Sequence, residues 1–208
     1  NNPFLDKNRE NKFIIAVELD PPFGSDISKI INGGKYLKEK GVDLITIADS
    51  PLGKVRNNPI ITAARLMRET GIDVMPHLAC RDRNIIALKS DIMAGYAEGI
   101  KNILVVTGDP IPNGERGEVK SVFNLNSVKF IQLIRELENE MSGTKILGIG
   151  AALNPNVINK EQEIKKINKK VDAGADFFFT QPVYDEESIK FLIELKKNNN
   201  IKVFAGIM

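Results

Sequence analysis

Short apolar runs alternate along this chain with longer stretches of helical period, and most runs break abruptly into proline, glycine, aspartate or asparagine. Continuous apolar runs bounded by turn residues are the pattern of strands buried on both faces, and their alternation with amphipathic helices gives parallel βαβ units. Residues 103–112, ILVVTGDPIP, show it most clearly: a strand runs out into a site loop, with Asp109 at its carboxyl end. The pattern predicts strands at 12–19, 44–48, 74–78, 103–106, 145–151, 177–180 and 202–206. Helices are predicted from Ser25 or Asp26 to about 40, then over 59–70, 84–98, a span ending near 140, 160–173 and 186–197. Residues 1–11 are polar and read as an irregular linker or N-terminal tail, leaving 12–208 as one domain.

The turns from helix to strand resemble one another, each opening on a glycine: Gly41, Gly71, Gly99 and Gly174. Glycine at a helix C-terminus reaches left-handed angles cheaply, so the chain turns directly into the next strand. The loops that follow strands are longer and hold the unusual polar residues. That division of labour is expected of an α/β (βα)8 TIM-type barrel, with its active face at the carboxyl ends of the strands. Seven strands are found where a barrel needs eight, so the chain reads as a barrel truncated after its seventh strand.

Composition narrows the chemistry. The 29 Lys and Arg against 27 Asp and Glu leave a net charge of +2, too small for the strong field of a nucleic-acid or membrane-surface protein. A single cysteine, Cys80, excludes an intrachain disulfide, and one histidine with no Cys/His cluster argues against a metal site. No signal-like segment or long apolar run occurs, so a soluble cytoplasmic protein acting on a small molecule is expected. Carboxylates, amides and backbone must carry the chemistry.

The strand ends supply Glu18, Asp49, His77, Asp109, Asn154 and Gln181 to one rim. A polar residue leaving a strand is usually a turn former or cap, but six converge here. Glu18 shares a strand face with Ile14 and Ala16, where a carboxyl group keeps its proton to higher pH. It is a candidate general acid, or alternatively the partner of a lysine or arginine. His77 in MPHLAC is either a structural hydrogen bonder or a site group, and Gln181 offers a donor and an acceptor that suit a heterocycle edge or the backbone. In the helix predicted over 160–173, Glu163, Lys166 and Lys170 share a face that is either solvated or receives a diphosphate. No glycine-rich phosphate fingerprint is present.

With these residues in hand, the chain resembles the methylenetetrahydrofolate reductase family through VELDPP (17–22), MPHLAC (75–80), VVTGDP (105–110) and KKVDAGADFFFTQPVY (169–184). The resemblance implies a barrel that binds FAD and reduces 5,10-methylenetetrahydrofolate to 5-methyltetrahydrofolate, with NADH or NADPH as hydride source. It implies Glu18 as general acid opening the folate ring, Asp109 beside flavin and pterin, and Gln181 contacting folate and nicotinamide in turn. His77, Gly108, Asn154, Glu163, Lys166, Lys169 and Lys170 match flavin-contacting positions, with Asp49 and Thr107 in the same set. Thr107 stands where other members carry arginine, and Ala48 with Asp49 replaces a threonine-tyrosine pair. A flavin-poor folate-binding or electron-transfer subunit needing a partner is the alternative. A Schiff-base aldolase would need a lysine at a strand end, and strands one to six present none. The motifs look most like the reductase part of proteins with a preceding homocysteine methyltransferase domain, and a homo-oligomer is expected.

Overall fold

In the computed structural model, which describes residues 2–9, 12–115, 117–199 and 201–208, the apolar runs pair as one parallel sheet. Its strands are β1 (Ala16–Leu19), β2 (Leu44–Ile47), β3 (Asp73–Ala79), β4 (Asn102–Val106), β5 (Gly148–Leu153), β6 (Phe177–Pro182) and β7 (Val203–Gly206), hydrogen-bonded in chain order. Helices α2 (Ser28–Glu39), α3 (Pro59–Thr70), α4 (Ile85–Ala97), α5 (Ser127–Ser142), α6 (Lys160–Asp172) and α7 (Glu186–Asn198) connect them, and α1 (Pro3–Arg9) precedes β1. The arrangement is that of a (βα)8-type barrel, with seven strands among the described residues and β1 and β7 at the edges of the sheet.

Local chemistry sets most boundaries. Five helices begin on an asparagine or aspartate that accepts from a backbone N–H of the first turn: Asn58, Asn84, Asn126, Asn159 and Asp185. The four helix-to-strand glycines all lie at positive φ, between 65° and 108°. Pro76 does not end β3, because the strand changes partner there: residues through Pro76 pair with β2, and His77 to Ala79 pair with β4. The fifth strand starts later than predicted. The N–H groups of Ile146 and Leu147 are taken by the Glu138 carboxylate of α5, so the ladder begins at Gly148.

Alternate strand residues fill two cores. Ile45, Val74, Ile103, Val105, Ile149 and Phe178 face outward and pack under the helices. Leu44, Met75, Leu104 and Phe177 face the barrel axis and pack with Phe4. Phe4 is 3% exposed, with its ring 5.0 Å from Phe177 and 5.3 Å from Phe204. The expected irregular tail is thus corrected over 3–9: it is a helix, and it closes the barrel at the amino ends of the strands. Asn2 and Asn102 exchange side-chain amide bonds, Asn2 also donates to Lys101 O, and Lys7 pairs with Asp43 ahead of β2. Gly150 makes room for this interior. A Cβ there would lie 2.5 Å from Cε2 of Phe177 and 2.8 Å from Leu104.

Replacing Phe4 with alanine removes a ring from this closed layer, and the expected cost is about 3–5 kcal/mol. Urea unfolding checks it: the midpoint falls with an unchanged slope, whereas a shift worth less than about 1 kcal/mol would place α1 outside the cooperative core.

Candidate active site

The inward-facing positions become polar one turn of the pleat above the apolar layer. Glu18 continues the face of Ala16, and His77 continues that of Met75, which brings the Glu18 Oε2 and His77 Nε2 atoms to 3.7 Å. That separation is longer than a hydrogen bond. His77 Nε2 is buried with no partner, and burial pushes the imidazole down to about 4, so the ring is neutral near pH 7. Glu18 is 59% exposed, yet it stands in the concave mouth of the barrel, and its carboxyl is raised above the usual range. Desolvation is the main cause and the Asp20 charge adds to it.

Asp109, after β4, accepts a 2.7 Å bond from Leu52 N–H in the loop after β2. Gly108 before it lies at φ 95°, where a Cβ would also come within 3.0 Å of Arg81 Cβ and 3.1 Å of Ala79 Cβ. The turn that Asp109 holds is strained. Ser50 (φ 45°, ψ 60°) and Leu52 (φ 57°, ψ 20°) both occupy left-handed backbone, each at a cost on the order of 1–3 kcal/mol.

A second group of the expected residues meets on the other side of the rim. Thr107, Asn154, Glu163, Lys166, Lys169, Lys170 and Gln181 line one open cavity of about 600 Å³, together with Ser127, Asn156 and Tyr184. Glu163 is 5% exposed; it accepts from Asn154 N–H at 3.0 Å and lies 3.5 Å from Lys166 Nζ. Lys170 donates to Ala152 O at 2.6 Å, and its burial lowers its pKa, an effect that the Glu163 charge opposes. Lys166 and Lys169 keep exposed ammonium groups on the wall. This wall can take an anionic group such as a diphosphate, and the orphan His77 Nε2 can take a polar ring atom.

Asp49, expected among the cofactor-binding residues, is turned the other way. It follows the outward face of Ile45 and Ile47, and its carboxylate accepts from Ala79 N–H at 2.8 Å and from Arg83 at 2.6 and 3.3 Å. Arg83 in turn pairs with Asp91 of α4 at 2.7 Å. The side chain therefore ties the loops after β2 and β3 to α4. Arg81 and Arg83 were not among the expected site residues; the signal was present in CRDRN (80–84), a charged run directly after a buried strand.

The fold and this rim define a class: a βα-barrel protein with a candidate site at the carboxyl ends of its strands. The family is settled by comparison, since the methylenetetrahydrofolate reductase profile matches residues 4–208 and the chain belongs to that family. It is 29% identical over 205 residues to 5,10-methylenetetrahydrofolate reductase of Buchnera aphidicola (subsp. Schizaphis graminum), covering 97% of this chain and 67% of that protein. It is 28% identical over 207 residues to methylenetetrahydrofolate reductase (NADH) 1 of Arabidopsis thaliana, covering 93% of this chain and 34% of that protein. Among solved structures, an uncharacterised Clostridium thermocellum protein that binds two copies of 5-methyl-5,6,7,8-tetrahydrofolic acid matches with a TM-score of 0.67. That match is 16% identical and covers 98% of this chain and 69% of the other. A 2,3-dimethylmalate lyase matches with a TM-score of 0.66 at 15% identity, covering 93% and 66%. At these identities the structural matches establish the barrel fold alone. No described helix is long and apolar enough to cross a membrane.

Because His77 is the only histidine, its ring protons give one readable NMR titration. The expected midpoint is about 4, and one near 6.5 would show an imidazole open to water. The linkage sign follows: the unfolded chain binds the His77 proton first, so this group's contribution to stability is present above pH 6.5 and is lost as pH falls toward 4. Glu18 works in the opposite sense, its raised carboxyl contributing at low pH and losing that contribution as pH rises through its folded-state pKa.

Proposed function

We propose that this site reduces 5,10-methylenetetrahydrofolate to 5-methyltetrahydrofolate with FAD as cofactor and NADH or NADPH as hydride source. The observation that carries the reading is the protonatable Glu18 carboxyl beside a neutral, unpartnered His77 on the barrel axis. Family membership and the names of the Buchnera and Arabidopsis relatives support the folate chemistry, and the Arabidopsis name supports a nicotinamide donor.

The residues present suit a flavin dinucleotide. Lys166 and Lys169 would neutralise its diphosphate, and Asn154, Glu163 and Lys170 would shape the wall behind it. Thr107, Gly108 and His77 would meet its ring system. Held there, FAD would supply two-electron hydride chemistry between nicotinamide and folate. What the protein itself contributes is proton placement and orientation. Glu18, whose carboxyl keeps its proton to higher pH than an ordinary glutamate, gives it to a folate ring nitrogen, so that the methylene carbon becomes electrophilic. His77 stays neutral and places no competing positive charge beside that carboxyl. Asp109 keeps Oδ1 for the pterin while Oδ2 holds Leu52, and Gln181 presents donor and acceptor to folate or nicotinamide in turn.

Glu18→Gln keeps the shape and removes the proton. Turnover of methylenetetrahydrofolate is expected to fall about 10²- to 10⁴-fold, with visible flavin absorption and thermal stability retained. Turnover within tenfold of the parent excludes Glu18 as the acid. Purified protein with no flavin bands would move the assignment to the partner-requiring, flavin-poor subunit.

A further inference from the structure

We propose that Arg81 is a positioning residue that fixes the site carboxylate Asp109 and the turn Ser50–Gly53 in one geometry before any ligand arrives. This inference rests on the folate-reducing reading of the rim and adds a residue which that reading does not use.

Arg81 is 1% exposed, buried where the loops after β2, β3 and β4 meet. Its Nη1 donates to the main-chain oxygen of Asp109 at 2.9 Å and its Nη2 to that of Ser50 at 3.1 Å. Asp82 takes the remaining edge, with Nε donating at 2.8 Å and Nη2 at 2.7 Å. A planar guanidinium offers five donors in a fixed fork, so it can hold two carbonyls of different loops and a carboxylate together. A lysine ammonium has no such fork. The backbone of the same residue serves a third segment, since Arg81 O accepts from Val122 N–H at 2.7 Å.

Asp109 is therefore gripped at both ends: Arg81 holds its carbonyl, and Leu52 N–H holds its carboxylate at 2.7 Å. Leu52 can deliver that N–H only because the turn adopts left-handed angles at Ser50, Leu52 and Gly53, and Arg81 anchors the first of these through its carbonyl. Neighbouring glycines admit little else. A Cβ on Gly53 would lie 2.7 Å from Pro110 O, and one on Gly108 would lie 3.0 Å from Arg81 Cβ. Backbone strain persists only where surrounding contacts over-determine it, and here Arg81 and Leu52 both hold Asp109 at the rim. Orienting Asp109 in advance spares the ligand that ordering cost.

The test uses the full-length gene product and four variants: Arg81→Lys, Asp109→Asn, their double combination, and Gly53→Ala. Amide hydrogen exchange over 48–54 reads the turn, and kcat and KM for methylenetetrahydrofolate read the site. Arg81→Lys keeps the buried charge and is expected to speed exchange in the turn about tenfold, with β2 and β4 unchanged. Its kcat is expected to fall about as far as that of Asp109→Asn, with no added loss in the double variant, because both act through one carboxylate. Gly53→Ala strains the same turn with Arg81 intact, and it reproduces both effects even if Arg81→Lys does not fold. Unchanged exchange at the turn, or losses that add in the double variant, overturns the inference and leaves the functional reading standing. Wild-type protein with no folate reduction, but with the turn released in Arg81→Lys, overturns the functional reading and keeps the structural role of Arg81.

Discussion

A parallel sheet curled into a barrel must be filled from both sides, and the filling of its interior is the constraint from which the rest of this structure follows. The outward face is covered by helices that the chain delivers between strands. The inward face has to be closed by side chains alone, and here phenylalanines do it. Phe177, Phe179 and Phe204 come from β6 and β7 and Phe4 comes from α1, with Phe179 and Phe204 stacked at 4.8 Å. Gly150 completes the arrangement by carrying no side chain into the Phe177 ring. With that layer rigid, the carboxyl ends of the strands are held in register, and the polar residues above it acquire fixed neighbours.

Those neighbours divide the rim into two electrostatic halves. On the β1 and β3 side burial shifts both groups toward their uncharged forms: a raised carboxyl beside a depressed imidazole. On the β5 and β6 side the wall carries three lysines and a buried glutamate that accepts from the Asn154 backbone. Proton handling and anion binding require opposite conditions, one a scarcity of charge and the other an excess of positive charge. Separate strands of one barrel allow both conditions to exist in one molecule.

Much of this was legible from the chain. The period of the apolar residues gave the seven strands and the six helices between them, since both depend on neighbours a few positions away. The lysines of α6 were readable as one face for the same reason. The short first helix was not, because a segment containing Asn2, Asp6, Lys7 and Asn8 shows little apolar pattern, and Phe4 acquires its meaning only from rings contributed by β6 and β7. The start of β5 was displaced by a side chain, Glu138, that competes for the N–H groups of the strand's first residues.

The sequence by itself determined the order of the seven strands and the six helices between them and the polar residues at the strand ends, because these follow from local periodicity and turn chemistry. Only the tertiary structure decided what each polar group does there. Asp49 and Asp109 both leave strands as acidic residues, yet Asp49 turns outward onto Arg83, whereas Asp109 stays at the rim in the grip of Leu52 and Arg81. The reason is physical: a charge is assigned by its burial and by partners brought from other loops, and neither exists until the strands have assembled.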